Sequence, residues 1–194
     1  LLDKCGFRSK GIFVMDGSKR SGHGNAYFTG FGRNKRIVFF DTLIESLEPG
    51  EVEAVLAHEL GHFKLKHIQK RLLTTAAMSL AGLALLGWLA AQDWFYNGLG
   101  ISQASPWMAL LLFSMVAPAF TFFLHPLFAR LSRKHEFEAD AYAVSQSDGN
   151  DLIRALVKMY KENASTLTPD PLYSAFHDSH PPAPVRIAHI SGNI

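Results

Sequence analysis

The stretch that decides the fold is His58-Glu59-Leu60-Gly61-His62. On an α-helix, positions i and i+4 share a face, so both imidazoles can reach one metal ion. Glu59 lies beside them, where it can act as a base toward water. The upstream residues support a helix: Pro49 suits a first turn, and Val52, Val55, Leu56 and Leu60 recur at helical spacing. The motif points to a zinc peptidase and leaves a third ligand to find. Gly and His would have to stand three and six residues after His62 to supply it locally, but those positions hold Leu65 and Ile68. His67 is one residue off, with no glycine to break the helix, and reads as a solvated or headgroup-facing residue.

A carboxylate from a second helix is the remaining route, giving the two-His-one-Glu set of thermolysin-like sites. Arg133-Lys-His-Glu-Phe-Glu-Ala-Asp140 is the candidate. Glu136 and Asp140 are four apart and share a face. Glu138 points about 200° away from Glu136. Glu136 can then bind the metal while Asp140 orients a ligand histidine through its second nitrogen. His135 is a rival ligand, and solvated helix charges paired with Arg133 or Lys134 are the bland alternative.

Between the two motifs the composition changes. From residue 72 to 129 there are 58 residues with one formal charge, Asp93. The other 136 residues carry 35 charges, about 26%, as an ordinary soluble domain does. Leu72–Gln92 and Trp107–Phe128 are each charge-free and long enough to cross a bilayer. Trp88, Trp94, Tyr96 and Trp107 cluster around the connecting turn like an aromatic belt. Pro118 and Pro126 are expected to kink the second span, and His125 reads as interfacial. Lys64, Lys66, Lys70 and Arg71 precede the first span, Arg130, Arg133 and Lys134 follow the second, and the turn has no Lys or Arg. The positive-inside rule places both outer ends in the cytoplasm. A buried hairpin in a large soluble core is the alternative.

Upstream, Ile12–Met15, Asn25–Phe31 and Arg36–Phe40 read as strands, with a hairpin-like turn at 32–35. Ser132 to about Ser147 reads as a helix ended by Gly149 and Asn150. Asp151 is the expected cap of another, with Leu152, Leu156, Met159 and Tyr160 on its apolar side. The tail from Thr166 reads as loop-rich, with Pro181, Pro182 and Pro184. Hydrophobic content of 48% excludes disorder, and Cys5 as the lone cysteine excludes a disulfide scaffold and agrees with a reducing compartment. A net charge of +2 gives no argument for nucleic acid. The organisation expected is 1–71 as the first part of a catalytic domain, 72–128 as a transmembrane hairpin and 129–194 as the second part. The chain begins with leucine and reads as a piece of a longer protein.

Taken together, His58–His62 and Glu136–Asp140 resemble the membrane zinc metalloproteases that include the type I CAAX prenyl endopeptidase and the heat-shock protease HtpX. Gly24-Asn25-Ala26-Tyr27-Phe28 resembles that family's Asn-Ala-Tyr strand segment. Lys35–Val38 with Asp41-Thr42-Leu43 looks closer to the CAAX enzyme. Ser179-His180-Pro181-Pro182 with Arg186 matches the family's late His-Pro-Pro and Arg pair.

The resemblance implies a zinc ion held by His58, His62 and Glu136, Glu59 as catalytic base, Asp140 behind the ligands, and His180 and Arg186 lining the site toward the oxyanion. Asn25, Ala26 and Tyr27 would pair with an extended substrate. The fold expected is mainly α with a small N-terminal β-sheet (α+β), a gluzincin-like zinc metalloprotease domain with an inserted two-helix transmembrane hairpin. The family's CAAX enzymes carry further spans upstream, which implies that an upstream transmembrane part is missing. The expected partners are a peptide or protein substrate, prenylated or otherwise membrane-associated, and the lipid bilayer. The location would be the bacterial inner membrane or the endoplasmic reticulum, with the site facing the cytoplasm. An HtpX-like quality-control protease is the enzyme alternative. A non-catalytic zinc-stabilised scaffold is the other class, and an intact Glu59 argues against it.

Overall fold

A computed structural model describes residues 1, 11–20, 22–29, 36–162, 166 and 168–194. Cys5, Gly30, Phe31, Lys35 and the expected turn at 32–35 lie outside the described residues. The chain divides into two compact units. One joins Leu1–His67 to Ala129–Ile194, and the other is Ile68–Phe128.

The first unit begins with strands β1 (Ile12–Met15), β2 (Ala26–Thr29) and β3 (Arg36–Phe40), in sheet order β1-β3-β2. β3 is central, parallel to β1 and antiparallel to β2, with Ala26 opposite Phe39 and Thr29 opposite Arg36. Its Ile37, Val38 and Phe39 are buried, whereas every residue of β1 is exposed. Helix α1 (Asp41–Ser46), not expected from the sequence, follows at once. Asp41 accepts hydrogen bonds from the amides of Gly17 and Ser18 at 2.9 and 3.0 Å, and these tie the loop after β1 to α1.

Helix α2 (Pro49–Lys64) carries the decisive motif. Pro49 sits in its first turn, and Glu48 and Glu51 form a capping box in which each side chain accepts from the other's backbone N–H. Two faces of α2 are buried. Val55, Leu56 and Leu60 pack with Ile37, Phe39 and Leu43. Ala54 and Ala57 pack with Ala143, Leu152, Leu156 and Ile190. The small residues let neighbouring helices approach, and each buried leucine contributes about 1.5–3 kcal/mol.

Helix α6 (His125–Gln146) is followed by α7 (Gly149–Glu162), α8 (Pro171–His177) and α9 (Ala183–Ser191). Gly149 and Asn150 open α7 rather than ending α6. Its cap is Asp148, whose Oδ1 accepts from the Asn150 amide at 2.8 Å, so Asp151 is one helical turn too late for that role. The expected loop tail is helical over α8 and α9. Pro171 and Pro184 stand in first turns, where a missing N–H costs nothing.

The second unit holds most of α3 (His67–Leu89), all of α4 (Asp93–Gly98) and α5 (Pro106–Thr121), and a 3-10 turn at Phe122–Leu124. The 3-10 turn lies between Pro118 and Pro126, where kinks were expected. Two helical stretches, His67–Leu89 and the run from Pro106 onward, are long and apolar enough to cross a membrane. Their large apolar side chains, Leu73, Leu80, Leu83, Met115 and Phe120 among them, point outward, which a helix buried in a soluble core would not do. The expected belt needs one correction. Trp88, Trp94 and Trp107 are exposed, but Tyr96 is buried with Phe95, Ala109 and Leu112. Its hydroxyl donates to the Ala90 carbonyl at 2.9 Å, so it closes the hairpin from within.

Candidate metal centre

Gly61 sets the distance between α2 and α6. A Cβ on it would stand 3.0 Å from Ala139 Cα and 3.1 Å from Ala139 O, so only glycine lets the backbones approach this closely. The contact brings His58 and His62 of α2 against Glu136 and Asp140 of α6, as the spacing within each motif anticipates.

The Nε2 atoms of His58 and His62 lie 3.1 Å apart. Glu136 Oε2 is 3.6 Å from the first, and its Oε1 is 3.4 Å from the second. These three side chains offer ligand atoms that all fall within 4.8 Å of one another, and so could hold a metal ion. The hydrogen bonding around them fits that use. His58 Nδ1 donates to Asp140 Oδ1 at 2.8 Å, which leaves the lone pair of Nε2 facing the cluster. Asp140 is 0% exposed. Arg186 of α9 holds it bidentately, Nε on Oδ2 at 2.9 Å and Nη2 on Oδ1 at 2.5 Å. Burial alone would lower the Arg186 pKa, but Asp140 and then Glu136 raise it further above its ordinary value.

Desolvation by the surrounding protein pushes the Glu59 carboxyl up from its ordinary 4.5, against the pull of His58 and His62. A carboxylate with a raised pKa is a better proton acceptor. His180 is 65% exposed at its side chain, with Nε2 3.5 Å from Glu136 Oε1 and Nδ1 3.0 Å from Ser179 Oγ. It lines a concavity of about 580 Å³ with Tyr160, Tyr173, Asp178 and Pro182. Arg186 is committed to Asp140, with Nη1 also 3.6 Å from Glu136. Asn25 precedes β2, an edge strand that packs against α2. Ala26 is buried there, while Asn25 and Tyr27 are exposed.

His67 differs from expectation. It is 4% exposed, not solvated. Lys66, at φ +60°, takes the left-handed conformation without glycine and breaks the chain between α2 and α3. That break returns His67 to His62, with the two Nδ1 atoms 2.9 Å apart. Glu138, off the face of Glu136 as the helical angle requires, meets His67 Nε2 at 3.0 Å. His135 stacks on His67 and stands outside the His58–His62–Glu136 group. Glu138 on the unused face of α6 and an imidazole five residues after His62 were the available signal for this pair.

With this geometry in hand, comparison with known proteins gives one consistent result. Residues 1–194 match Peptidase family M48. The CAAX prenyl protease 1 homolog of Arabidopsis thaliana is 40% identical over 195 residues, covering 99% of this chain and 46% of that protein. CAAX prenyl protease 1 of Saccharomyces cerevisiae is 37% identical, covering 96% and 45% respectively. The crystal structure of S. mikatae Ste24p superposes with a TM-score of 0.88 at 36% identity, over 97% of this chain and 48% of that one. The chain therefore spans about half the length of the relatives it matches.

Proposed function

The chain belongs to peptidase family M48, and on that premise we propose that it is a zinc-dependent endopeptidase of membranes. It would hydrolyse peptide bonds near the C-terminus of prenylated or other membrane-associated proteins. The observation that carries this reading is the convergence of His58, His62 and Glu136, backed by Asp140 and Arg186, with Glu59 alongside.

His58, His62 and Glu136 would hold the zinc. Bound there, it would supply a Lewis acid that polarises a peptide carbonyl and makes water more acidic. Asp140 keeps His58 in the tautomer whose Nε2 is free to bind, and Arg186 keeps Asp140 charged and in place. Glu59 takes a proton from the attacking water as its oxygen bonds to the carbonyl carbon. Glu59 then gives that proton to the amide nitrogen as the C–N bond breaks. His180, exposed at the rim, donates from Nε2 to the developing oxyanion. Arg186 contributes through Asp140 rather than by direct contact. An extended substrate adds to the edge of β2 that pairs with no strand among the described residues, beside Asn25, Ala26 and Tyr27.

The two apolar helical stretches would anchor the protein in a bilayer, with both outer ends of the hairpin in the cytoplasm because Lys and Arg flank those ends only. Labelling of a cysteine placed at Asn97 should occur only from the non-cytoplasmic side.

The test of substrate class is cleavage of a prenylated C-terminal peptide against its unprenylated twin, with and without a zinc chelator. Chelator-sensitive cleavage that favours the prenylated peptide supports the reading. Equal chelator-sensitive cleavage of both would mark a general membrane protease instead.

A further inference from the structure

Apart from the centre already described, the same unit gathers His67, His135 and Glu138, with donor atoms all within 4.8 Å of one another. Two observations decide between a second cation site and another role. The His67 and His135 rings are stacked, with centroids 4.1 Å apart and planes 12° from parallel. An imidazole offers its lone pair in the ring plane, so two stacked rings aim poorly at one ion.

The second observation is the pair of Nδ1 atoms of His62 and His67, 2.9 Å apart. One of them must carry the proton between them. If His62 binds a metal through Nε2, the proton is on its own Nδ1. His67 Nδ1 is then the acceptor, and His67 carries its proton on Nε2, 3.0 Å from Glu138 Oε2. A protonated Nε2 cannot ligate a cation.

We propose that His67 is a positioning residue for the metal centre, accepting the Nδ1 proton of His62 and so fixing the tautomer that leaves His62 Nε2 bare. The inference rests on the zinc reading given above. Glu138 holds His67 the right way round, and Lys134 Nζ lies 3.7 Å from its other oxygen. Both ligand histidines are thus clamped from behind by a chain ending in a cation. For His58 the chain is Asp140 and Arg186. For His62 it is His67, Glu138 and Lys134, with a neutral imidazole in place of the carboxylate. A neutral acceptor pulls less on the Nδ1 proton, so His62 is the weaker donor of the pair.

The test is zinc affinity of the purified protein by competition with a chromophoric chelator, paired with the visible spectrum of the cobalt-substituted form. His67→Phe keeps a flat ring and removes the acceptor. It should weaken zinc binding about 10–100-fold and shift the cobalt bands. His67→Asn, whose Oδ1 can accept from His62, should restore both toward the wild type. Wild-type affinity with an unchanged cobalt spectrum in His67→Phe would overturn the inference. A second zinc equivalent in the wild type, lost in His135→Ala, would also overturn it, making the cluster a cation site. Should His67→Phe fail to fold, Glu138→Ala carries the test. It should weaken zinc in the same direction by a smaller factor, and unchanged affinity counts against the proposal. If the wild type binds no zinc at all, the function itself fails, and the wild-type titration separates that failure from the others.

Discussion

Gly61 and Ala139 are the point at which the two motif helices touch, with the Ala139 backbone occupying the space a side chain at 61 would need. The contact fixes how far His58 and His62 stand from Glu136. Gly61→Ala would have to push α6 away by a few tenths of an ångström or more. Overpacking of this kind costs about 1–3 kcal/mol, and zinc affinity should fall with it. Thermal unfolding and chelator competition on the same variant check both effects. Unchanged values for both would mean the helices are not set by this contact.

Asp140 and Arg186 separate stability from metal affinity. Arg186→Ala leaves a buried carboxylate without its partner, which should destabilise the fold by about 3–5 kcal/mol. Asp140→Asn leaves the buried Arg186 charge without its carboxylate and also weakens the hold on His58, and should lower zinc affinity about 10–100-fold. Denaturation curves and zinc titrations of the two variants should therefore move in different proportions.

Lys66 pays backbone strain for the turn that places His67. Lys66→Gly removes that strain and should leave stability equal or higher by up to about 1 kcal/mol, with zinc affinity unchanged. Lys66→Val puts a β-branched residue at positive φ and should cost about 1–2 kcal/mol. A melting comparison of the three proteins decides the matter.

Glu51 is 1% exposed and meets Lys158 at 2.7 Å and Arg154 at 3.8 Å. Burial would raise its pKa, but the hydrogen bonds from Lys158 and from the Glu48 amide, with the charges of Lys158 and Arg154, outweigh it. The folded value therefore lies below the ordinary 4.5. A carboxyl whose pKa is depressed on folding stabilises fully above its unfolded value, and loses that contribution as pH falls through the folded one. Glu51→Gln should cost about 2 kcal/mol at neutral pH. The gap between wild type and variant should stay constant down to about pH 5 and shrink below it. Paired melts across that range measure it, and a gap independent of pH would contradict the assignment.

Much of the site was legible in the chain because its spacing is helical. His58 with His62, and Glu136 with Asp140, are each four apart, and nothing about tertiary packing is needed to put each pair on one face. The three strands were legible as β-branched and aromatic runs. His67 was not, because its placement depends on a lysine taking a conformation that lysine does not advertise. Helices α8 and α9 were missed because a tail holding Pro181, Pro182 and Pro184 reads as loop-rich, although proline in a first turn is also a start signal. Asp148 lost to Asp151 as a cap because one acidic residue in a first turn looks much like another. Tyr96 was misplaced because an aromatic beside a span suits a membrane interface or a hairpin core equally well.

The most direct test of the account is single-turnover cleavage by Glu59→Gln loaded with one zinc per chain. Zinc should be retained at wild-type affinity while the rate falls about 10²–10⁴-fold, the usual contribution of a general base. Cleavage at the wild-type rate with zinc in place would contradict it.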